Sequence, residues 1–376
     1  MSDLIPEVGS TFALPKLELD GLLSNLRKFG YHPIGPRVED NVIVYAPLDG
    51  LDDLPRGYNS EQDAGRYRLI FTGHSRYFDV TPGAQSWKQF LFPPRSPLFS
   101  ARRDNGKWKI EEEAQAAPTY AFIGVRPCEL AAILVQDRVF LREEWSDSIY
   151  RLRRQSAFIL SMNCLHPCGT CFCASMGTGP KAETGFDLSL TELDDVFMVS
   201  IGSEAGRLAL GGLNLQPASA FLLQAANKGL EDARKRMGRS VPDPEALPEL
   251  LLGNLEHIQW DDVASRCLSC TNCTQVCPTC FCWDASDQLS LSGKNSQRVR
   301  VWDSCFNPDY SYIAGGNTRP NTRARYRQWL THKMASWKHQ FDVSGCVGCG
   351  RCITWCPAGI DLTAEIAALR EEKVSS

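Results

Sequence analysis

The chain has 376 residues, of which 43% are hydrophobic and 22% are charged. This composition is typical of globular proteins long enough for two domains with separate cores, and it excludes disordered and collagen-like chains. Lys and Arg total 40 against 44 Asp and Glu, and the resulting net charge of −4 argues against a global attraction to nucleic acid or anionic lipid.

Neither a membrane span nor a secretory signal is visible in the sequence. The longest apolar runs, residues 131–135 and 157–160, are far shorter than the roughly 18 to 20 residues that cross a bilayer. Residues 1–14 carry Asp3 and Glu7 but no Lys or Arg, so they lack the basic start of a signal peptide. We therefore expect a cytoplasmic protein.

Apolar patterns predict an α/β arrangement in the first part of the chain. Residues 120–125 form a strand that ends at Arg126-Pro127, and helical spacing follows, so Cys128 lies at a strand-to-helix turn. Further elements are predicted in chain order: strands at 41–47 and 68–72, an irregular aromatic segment at 85–99, a strand at 157–161, a hairpin of 186–190 and 196–201, a helix at 217–236, a proline-rich linker at 238–248 and a helix at 249–257.

Sixteen cysteines, none of them before Cys128, are the unusual feature of the sequence. In a reducing cytosol such a density indicates metal binding rather than disulfides. Two segments have the spacing C-x2-C-x2-C-x3-C-P of bacterial ferredoxins, in which the fourth cysteine binds the other cluster of the pair. The alternative, structural zinc, favours separated pairs of cysteines. The sequence predicts two [4Fe-4S] clusters, one bound by Cys267, Cys270, Cys273 and Cys356, the other by Cys346, Cys349, Cys352 and Cys277.

Three more cysteines lie in the long stretch between the two runs: Cys280, Cys282 and Cys305. They are one thiolate short of a complete cluster. The fourth ligand stays open between Cys168, Asp303, His332 and an external group, and structural zinc or reduced thiols are alternatives. The sequence thus indicates a further Fe-S or zinc site here.

A last group of cysteines follows two predicted strands. Because neighbouring strand ends meet at one edge of an α/β layer, the turn after residues 120–125 and the loop after residues 157–161 lie close together. Buried free thiols or zinc are the alternatives. We predict a third [4Fe-4S] cluster bound by Cys128, Cys164, Cys171 and Cys173.

Residues 319–340 are basic without a single acidic residue. A solvated helix face is the ordinary explanation for such a run. Near anionic clusters, these cations would instead stabilise the reduced state or dock an acidic partner. The basic residues are Arg319, Arg323, Arg325, Arg327, Lys333 and Lys338.

The predicted fold class is α+β. An N-terminal α/β domain, residues 1–240, carries the additional Fe-S site. A mainly helical two-cluster ferredoxin domain, residues 241–376, follows, with a long insertion between its cysteine runs. The sequence has no G-x-G-x-x-G, P-loop or H-E-x-x-H motif, so no nucleotide, flavin or zinc-hydrolase site is predicted.

From about residue 121 to the end, the chain carries a set of motifs beyond the ferredoxin spacing: G-V-R-P-C-E-L at 124–130, D-R-V-F at 137–140, N-C at 163–164, C-F-C-A-S-M-G-T-G at 171–179, C-P-T-C-F-C at 277–282, W-D-S-C at 302–305, A-G-G at 314–316 and C-V-G-C-G-R-C at 346–352. Together these motifs resemble those of the β subunits of cytosolic nickel-iron sulfhydrogenases and of the A subunit of anaerobic sulfite reductase. Two positions depart from the pattern: Cys168 is additional, and Asn317 stands where relatives tend to have histidine.

The resemblance implies an electron-transfer subunit that connects a partner binding FAD and NAD(P)H to a catalytic hydrogenase-type partner. Two alternatives stay open: the A-type chain of a dissimilatory anaerobic sulfite reductase, or a reductase whose incomplete three-cysteine site binds its own substrate. A non-catalytic cluster-dependent scaffold is a third class.

Overall fold

A computed structural model describes residues 6–112 and 117–371. Its strands are β1 Thr11–Pro15, β2 His32–Glu39, β3 Val42–Pro47, β4 Tyr58–Asp63, β5 Arg66–Phe71, β6 Arg95–Asp104, β7 Lys107–Glu112, β8 Tyr120–Val125, β9 Phe158–Met162, β10 Leu188–Glu192, β11 Val196–Ile201, β12 Gln216–Pro217, β13 Trp283–Leu289 and β14 Asn295–Trp302.

The helices connect and cover these strands. A π-helical turn, His332–Ser336, lies between the tenth and eleventh of them. They are α1 Glu18–Lys28, α2 Lys88–Leu91, α3 Pro127–Phe140, α4 Ser148–Gln155, α5 Glu204–Ala209, α6 Ala220–Lys235, α7 Leu247–Gly253, α8 Gln259–Arg266, α9 Asn272–Gln275, α10 Thr322–Thr331, α11 Trp337–Phe341, α12 Arg351–Thr354 and α13 Leu362–Arg370. Each helix among the described residues is too short or too polar to span a bilayer.

An eight-stranded mixed sheet in the order β12-β1-β11-β10-β9-β8-β2-β3 forms the centre of the N-terminal part. β8 and β9 are parallel neighbours, with Ala121 opposite Phe158 and Ile123 opposite Leu160. Their carboxyl ends therefore meet at one edge, as the sequence predicted, and Cys128 and Cys164 follow there.

The spacing of apolar residues explains most of the helices and strands in the N-terminal part. The four leucines of α1 recur at helical spacing and are all buried in the core that also holds Leu160 and Val199. The predicted strands and the hairpin are confirmed with shifts of about two residues, which is usual for element ends. The prediction of an irregular segment at 85–99 is wrong in part: Trp87 and Phe92 are buried as expected, but the segment contains α2 and the beginning of β6.

A second, four-stranded sheet in the order β13-β14-β6-β7 joins strands from both parts of the chain. β14 pairs antiparallel with β6, and Asn295 lies opposite Arg102. The insertion between the two cysteine runs contains the hairpin of β13 and β14 as well as α10, the π-helical turn and α11, so the cysteine-rich part contains strands as well as helices. The division at residue 240 stays a prediction.

Candidate iron–sulfur sites

Site A consists of Cys267, Cys270, Cys273 and Cys356. α8 ends one residue before Cys267, α9 carries Cys273, and the loop after α12 brings Cys356 from the second run. All four line a cavity of about 30 Å³. Burial, together with the neighbouring sulfurs of Cys267 and Cys356, raises the pKa of Cys273 well above its usual value. A cysteine must lose its proton to bind a metal, so cluster binding at site A would release protons.

Site B consists of Cys277, Cys346, Cys349 and Cys352. Burial and the sulfurs of Cys346, Cys349 and Cys277 raise the pKa of Cys352. Each run therefore contributes one cysteine to the other run's group. The structure brings the predicted partners together, while the ligand sets themselves stay predictions.

A buried lysine lies against site B. Lys333 Nζ is 3.4 Å from Cys277 Sγ and donates to Thr279 Oγ1 at 2.9 Å and to the Gly345 carbonyl at 3.3 Å. Burial lowers the pKa of Lys333, but the sulfurs of Cys277 and Cys280 more than offset this, so its pKa is raised. The side chain comes from the π-helical turn, a local irregularity often found at functional sites.

Site C consists of Cys280, Cys282 and Cys305. A hydrogen bond from Cys305 lowers the pKa of Cys282 to about 6, and the Tyr310 hydroxyl contributes in the same direction. A hydrogen bond with Cys277 of site B, together with burial, raises the pKa of Cys280. The three predicted cysteines are thus neighbours, with Cys280 on the side of site B.

The structure gives different positions to the three side chains predicted as candidates for the fourth ligand of site C. Cys168 lies with the N-terminal cysteines instead. The Asp303 carboxylate accepts hydrogen bonds from Ser304 N at 2.7 Å and Asn307 Nδ2 at 3.0 Å. His332 lines the same cavity as Cys282 and Cys305. Of the three protein candidates, His332 alone shares this cavity.

Site D consists of Cys128, Cys164, Cys168, Cys171 and Cys173, all buried. The five line a cavity of about 20 Å³ at the carboxyl ends of β8 and β9. Cys168 Sγ lies 3.1 Å from Cys171 Sγ, and their hydrogen bond lowers the pKa of Cys168 to about 6. The structure therefore joins Cys168 to the four cysteines predicted from the sequence.

Sites B and D are in direct contact. Phe172 N donates to the Gly348 carbonyl at 2.9 Å, and Cys349 lines the cavity of site D. Gly348 has a φ of +65°, and a Cβ there would lie 2.6 Å from Cys173 N. Glycine is required because the two cysteine loops pack backbone against backbone.

A buried ion pair crosses the same contact. Arg351 Nη2 lies 2.5 Å from Glu129 Oε1, and the two side chains are 2% and 1% exposed. Tyr45 donates to the same carboxylate at 2.8 Å. Burial alone would lower the pKa of Arg351, but the Glu129 charge more than offsets it and keeps the guanidinium charged. Arg351 stands between two cysteines of the second run, a position that could have drawn attention to it.

Lys88 is a second buried cation that the sequence did not single out. It is 4% exposed, and its Nζ lies 3.8 Å from the Trp302 ring centroid and donates to the Gln275 carbonyl at 3.4 Å. Burial lowers the pKa of Lys88 to about 8, although the sulfurs of Cys280 and Cys277 act in the opposite direction. No local sequence signal connects residue 88 with these cysteines.

The basic residues of segment 319–340 do not form a single helix face but lie in several different environments. Arg323 and Arg327 each pair with Glu256 at 2.9 Å, and Lys338 pairs with Glu245. Arg319 donates to the carbonyls of Cys305 at 2.6 Å and Tyr310 at 2.5 Å. Arg325 also donates to carbonyls, so Lys333 and Arg319 are the members of the segment that reach cysteine sites B and C.

The donor chemistry of these sites fits iron–sulfur clusters. All sixteen cysteines are free thiols, and thiolates are the ligands of Fe-S clusters. Within residues 6–112 and 117–371, no three His, Cys, Asp or Glu side chains approach closely enough to hold a single metal ion. The cysteines of sites A and D instead surround small cavities.

Two cysteine runs that exchange their fourth members define an iron–sulfur protein of the dicluster class. In agreement, residues 266–360 match the family model described as a 4Fe-4S dicluster domain. Over 334 residues the chain is 32% identical to sulfhydrogenase 2 subunit beta of Pyrococcus furiosus, covering 85% of this chain and 94% of that protein. The chain therefore belongs to the family of sulfhydrogenase β subunits. No solved structure matches it.

Proposed function

We propose that this chain is the iron–sulfur subunit of a multisubunit oxidoreductase and relays electrons from one partner, which binds FAD and NAD(P)H, to another, a catalytic subunit of the hydrogenase type, or in the reverse direction. The observation that carries the proposal is the contact of site B with each of the other three sites. Bound [4Fe-4S] clusters would supply one-electron exchange at potentials tuned by the protein.

The contacts of site B support a branched relay. Cys352 of site B lines the cavity of site A. Cys277 of site B hydrogen bonds to Cys280 of site C. Cys349 lines the cavity of site D. An electron that arrives at any outer site can therefore leave through another by way of site B.

We propose that one of the two redox partners docks at site A. Cys270 of site A is exposed, so a redox partner can approach site A closely. Site D lies at the strand edge of the N-terminal part and is buried within this chain.

We propose a cytoplasmic location because sixteen reduced cysteines suit a reducing compartment.

A second candidate function is a reductase with its own substrate site, including the A-type chain of a sulfite reductase. One observation favours it: Cys282 and Cys305 line a cavity of about 590 Å³. A cavity of this size lies in the range of about 300 to 1,000 Å³ that is typical of small-molecule sites.

Anaerobically purified protein tests the main proposal. Sites A and B are expected to yield roughly eight irons and eight sulfides, and sites C and D additional iron. A reduced viologen dye should bleach the visible absorption of the clusters without any other substrate. Stoichiometric zinc with little iron, or clusters that the dye does not reduce, would contradict an electron-transfer role.

Lys333→Met is expected to lower the reduction potential of the site B cluster by on the order of 100 mV. The Nζ lies 3.4 Å from Cys277 Sγ, and removing this buried cation destabilises the more negative reduced state. A potentiometric titration followed by EPR measures the shift. Lys235→Met, which removes an exposed lysine of α6, should leave all potentials unchanged. An unchanged potential in Lys333→Met would argue against a charged Lys333 beside the site B cluster.

Cys171→Ala is expected to remove roughly four irons from the full-length chain while the clusters of sites A and B keep their EPR signals. Cys171 is one of the four cysteines proposed to bind a third cluster in site D. Cys168→Ala is the matched variant, because the two sulfurs are only 3.1 Å apart. Iron loss in Cys168→Ala but not in Cys171→Ala would show that Cys168, and not Cys171, binds the cluster of site D.

A further inference from the structure

The four-stranded sheet ends in a strand with an open edge. β7 pairs with β6 on one side and with no other strand among the described residues. Arg103 of β6 donates its N–H to the Lys294 carbonyl at 2.7 Å, on the side of β14, so it forms no backbone hydrogen bond to Trp108, which lies opposite it in β7. In an antiparallel pair such positions alternate with hydrogen-bonded ones. The backbone N–H and C=O groups of Trp108, Ile110 and Glu112 therefore point away from β6, toward the open edge.

The side chains of β7 form an apolar face and a charged face. Trp108 and Ile110 lie on the same face of the strand and are 49% and 67% exposed. Lys109 and Glu111 lie on the opposite face, and their side chains are 70% and 47% exposed. The 3.9 Å contact between Lys109 Nζ and Glu111 Oε1 is a weak, solvated ion pair, so both charges can take another partner. Exposed apolar side chains beside unpaired backbone groups favour the addition of another strand at this edge.

The order of charges along β7 suits a second copy of the same strand. If two copies run antiparallel about a twofold axis at Ile110, Lys109 of each copy lies opposite Glu111 of the other. In this register Trp108, Ile110 and Glu112 use all their outward N–H and C=O groups in hydrogen bonds between the copies. An axis at Lys109 or at Glu111 would instead place like charges opposite each other. The charges and the backbone groups therefore favour the same register.

The charges around β7 favour this strand over the other edge of the sheet. Arg102 of β6 lies opposite Lys109, and a carboxylate on the outer side of Lys109 would offset the repulsion between these two cations. Lysines alone would keep other strands away, which is a common protection of sheet edges, but Glu111 supplies the opposite charge. β13, at the other edge, carries Asp284 and Asp287 and no cation, so two copies of β13 would gain no ion pair.

We propose that two copies of this chain associate by antiparallel pairing of their β7 strands, so that the two four-stranded sheets form one continuous sheet about a twofold axis at Ile110. Trp108 and Ile110 of both copies form an apolar patch on one face of the joined sheet. Lys109 and Glu111 form ion pairs between the copies on the other face. The inference goes beyond the proposed function and needs no bound cluster. It implies that the oxidoreductase contains its iron–sulfur subunit twice.

Sedimentation equilibrium of the anaerobically purified full-length protein tests the association. The unaltered protein should be a mixture of monomer and dimer in which the dimer fraction rises with concentration. Lys109→Glu places a carboxylate opposite Glu111 at two symmetric positions and should weaken dimerisation about tenfold. An unaltered protein that stays monomeric at every concentration would overturn the proposal.

Exchange of the two charges distinguishes this register from any other interface. Glu111→Lys alone should weaken dimerisation as Lys109→Glu does, because lysines then face each other. An equal mixture of these two variants, and the double variant Lys109→Glu/Glu111→Lys, should both recover the dimer, since opposite charges again face each other. Lys235→Glu, on α6, makes the same change of charge elsewhere and should dimerise like the unaltered protein. Failure of both recoveries, or an equal loss in Lys235→Glu, would overturn the pairing.

Ile110→Pro tests the backbone hydrogen bonds at the axis. The N–H of Ile110 points away from β6, so a proline there is compatible with the β6–β7 hairpin but removes a hydrogen bond between the copies. We expect dimerisation to weaken about tenfold, with an unchanged far-ultraviolet circular dichroism spectrum. A dimer as stable as that of the unaltered protein would overturn strand pairing at this edge. Iron content and EPR signals should be the same in all variants, so failure of the proposed function would appear there and not in the dimer fraction.

Discussion

Replacing Cys277 by alanine is expected to abolish the cluster of site B and to spare that of site A, although Cys277 belongs to the first cysteine run. Its sulfur lies 3.4 Å from Lys333 Nζ, and a hydrogen bond from Cys280 lowers its pKa. The variant should lose roughly four irons, and the EPR signal of site A should remain. Loss of site B also interrupts the proposed branch, so dye reduction should no longer pass from site A to site D.

Cys356→Ala is the reciprocal control. Cys356 is the last cysteine of the second run but lines the cavity of site A. It should remove the site A signal and leave that of site B. If each variant instead destroyed the cluster of its own run, the fourth ligands would not exchange and the two sites would have to be redrawn.

The location of site D at the edge of the sheet could be predicted from the sequence. Residues 120–125 and 157–161 are short apolar runs, and the turn chemistry of Arg126-Pro127 marks the end of the first. Neighbouring parallel strands have their carboxyl ends at the same edge of the sheet. Cys128 and Cys164 could therefore be assigned to one site without knowledge of the rest of the fold. The fifth cysteine could not, because loop spacing does not determine which sulfurs of a loop point inward.

The second sheet could not be predicted. β13 is mostly exposed, and its polar residues give no strong strand pattern. Its neighbour β14 pairs with β6, about two hundred residues earlier, and such pairing depends on the whole fold. A sequence pattern reports local structure, so the joining of the two parts of the chain was missed.

The buried cations were missed for the same reason. Lys88 is separated by 187 residues from Gln275, whose carbonyl it contacts, and Arg351 by 222 residues from Glu129. The cysteine spacing identifies the sulfurs because the ligands of one loop are close in sequence. The charges that surround those sulfurs come from distant segments.

Arg351→Met is expected to destabilise the protein by about 3 to 5 kcal/mol. It leaves the Glu129 carboxylate, 1% exposed, with Tyr45 but without its cation at the contact between the two parts of the chain. Arg351 Nε also donates to the Gly83 carbonyl at 3.1 Å, and this hydrogen bond would be lost. Urea unfolding under anaerobic conditions, followed by tryptophan fluorescence, should show a clearly lower midpoint.

Glu129→Gln combined with Arg351→Met separates the cost of an unpaired charge from the loss of packing. The glutamine keeps a hydrogen-bonding partner for Tyr45 but carries no charge, so the double variant should be more stable than Arg351→Met alone. A double variant as unstable as the single one would mean that packing and not charge dominates at this contact. A midpoint in Arg351→Met equal to that of the unaltered protein would mean that the ion pair does not join the N-terminal sheet to the second cysteine run. The expected order follows from burial, because a lone carboxylate in a low-dielectric contact is the costliest of the three states.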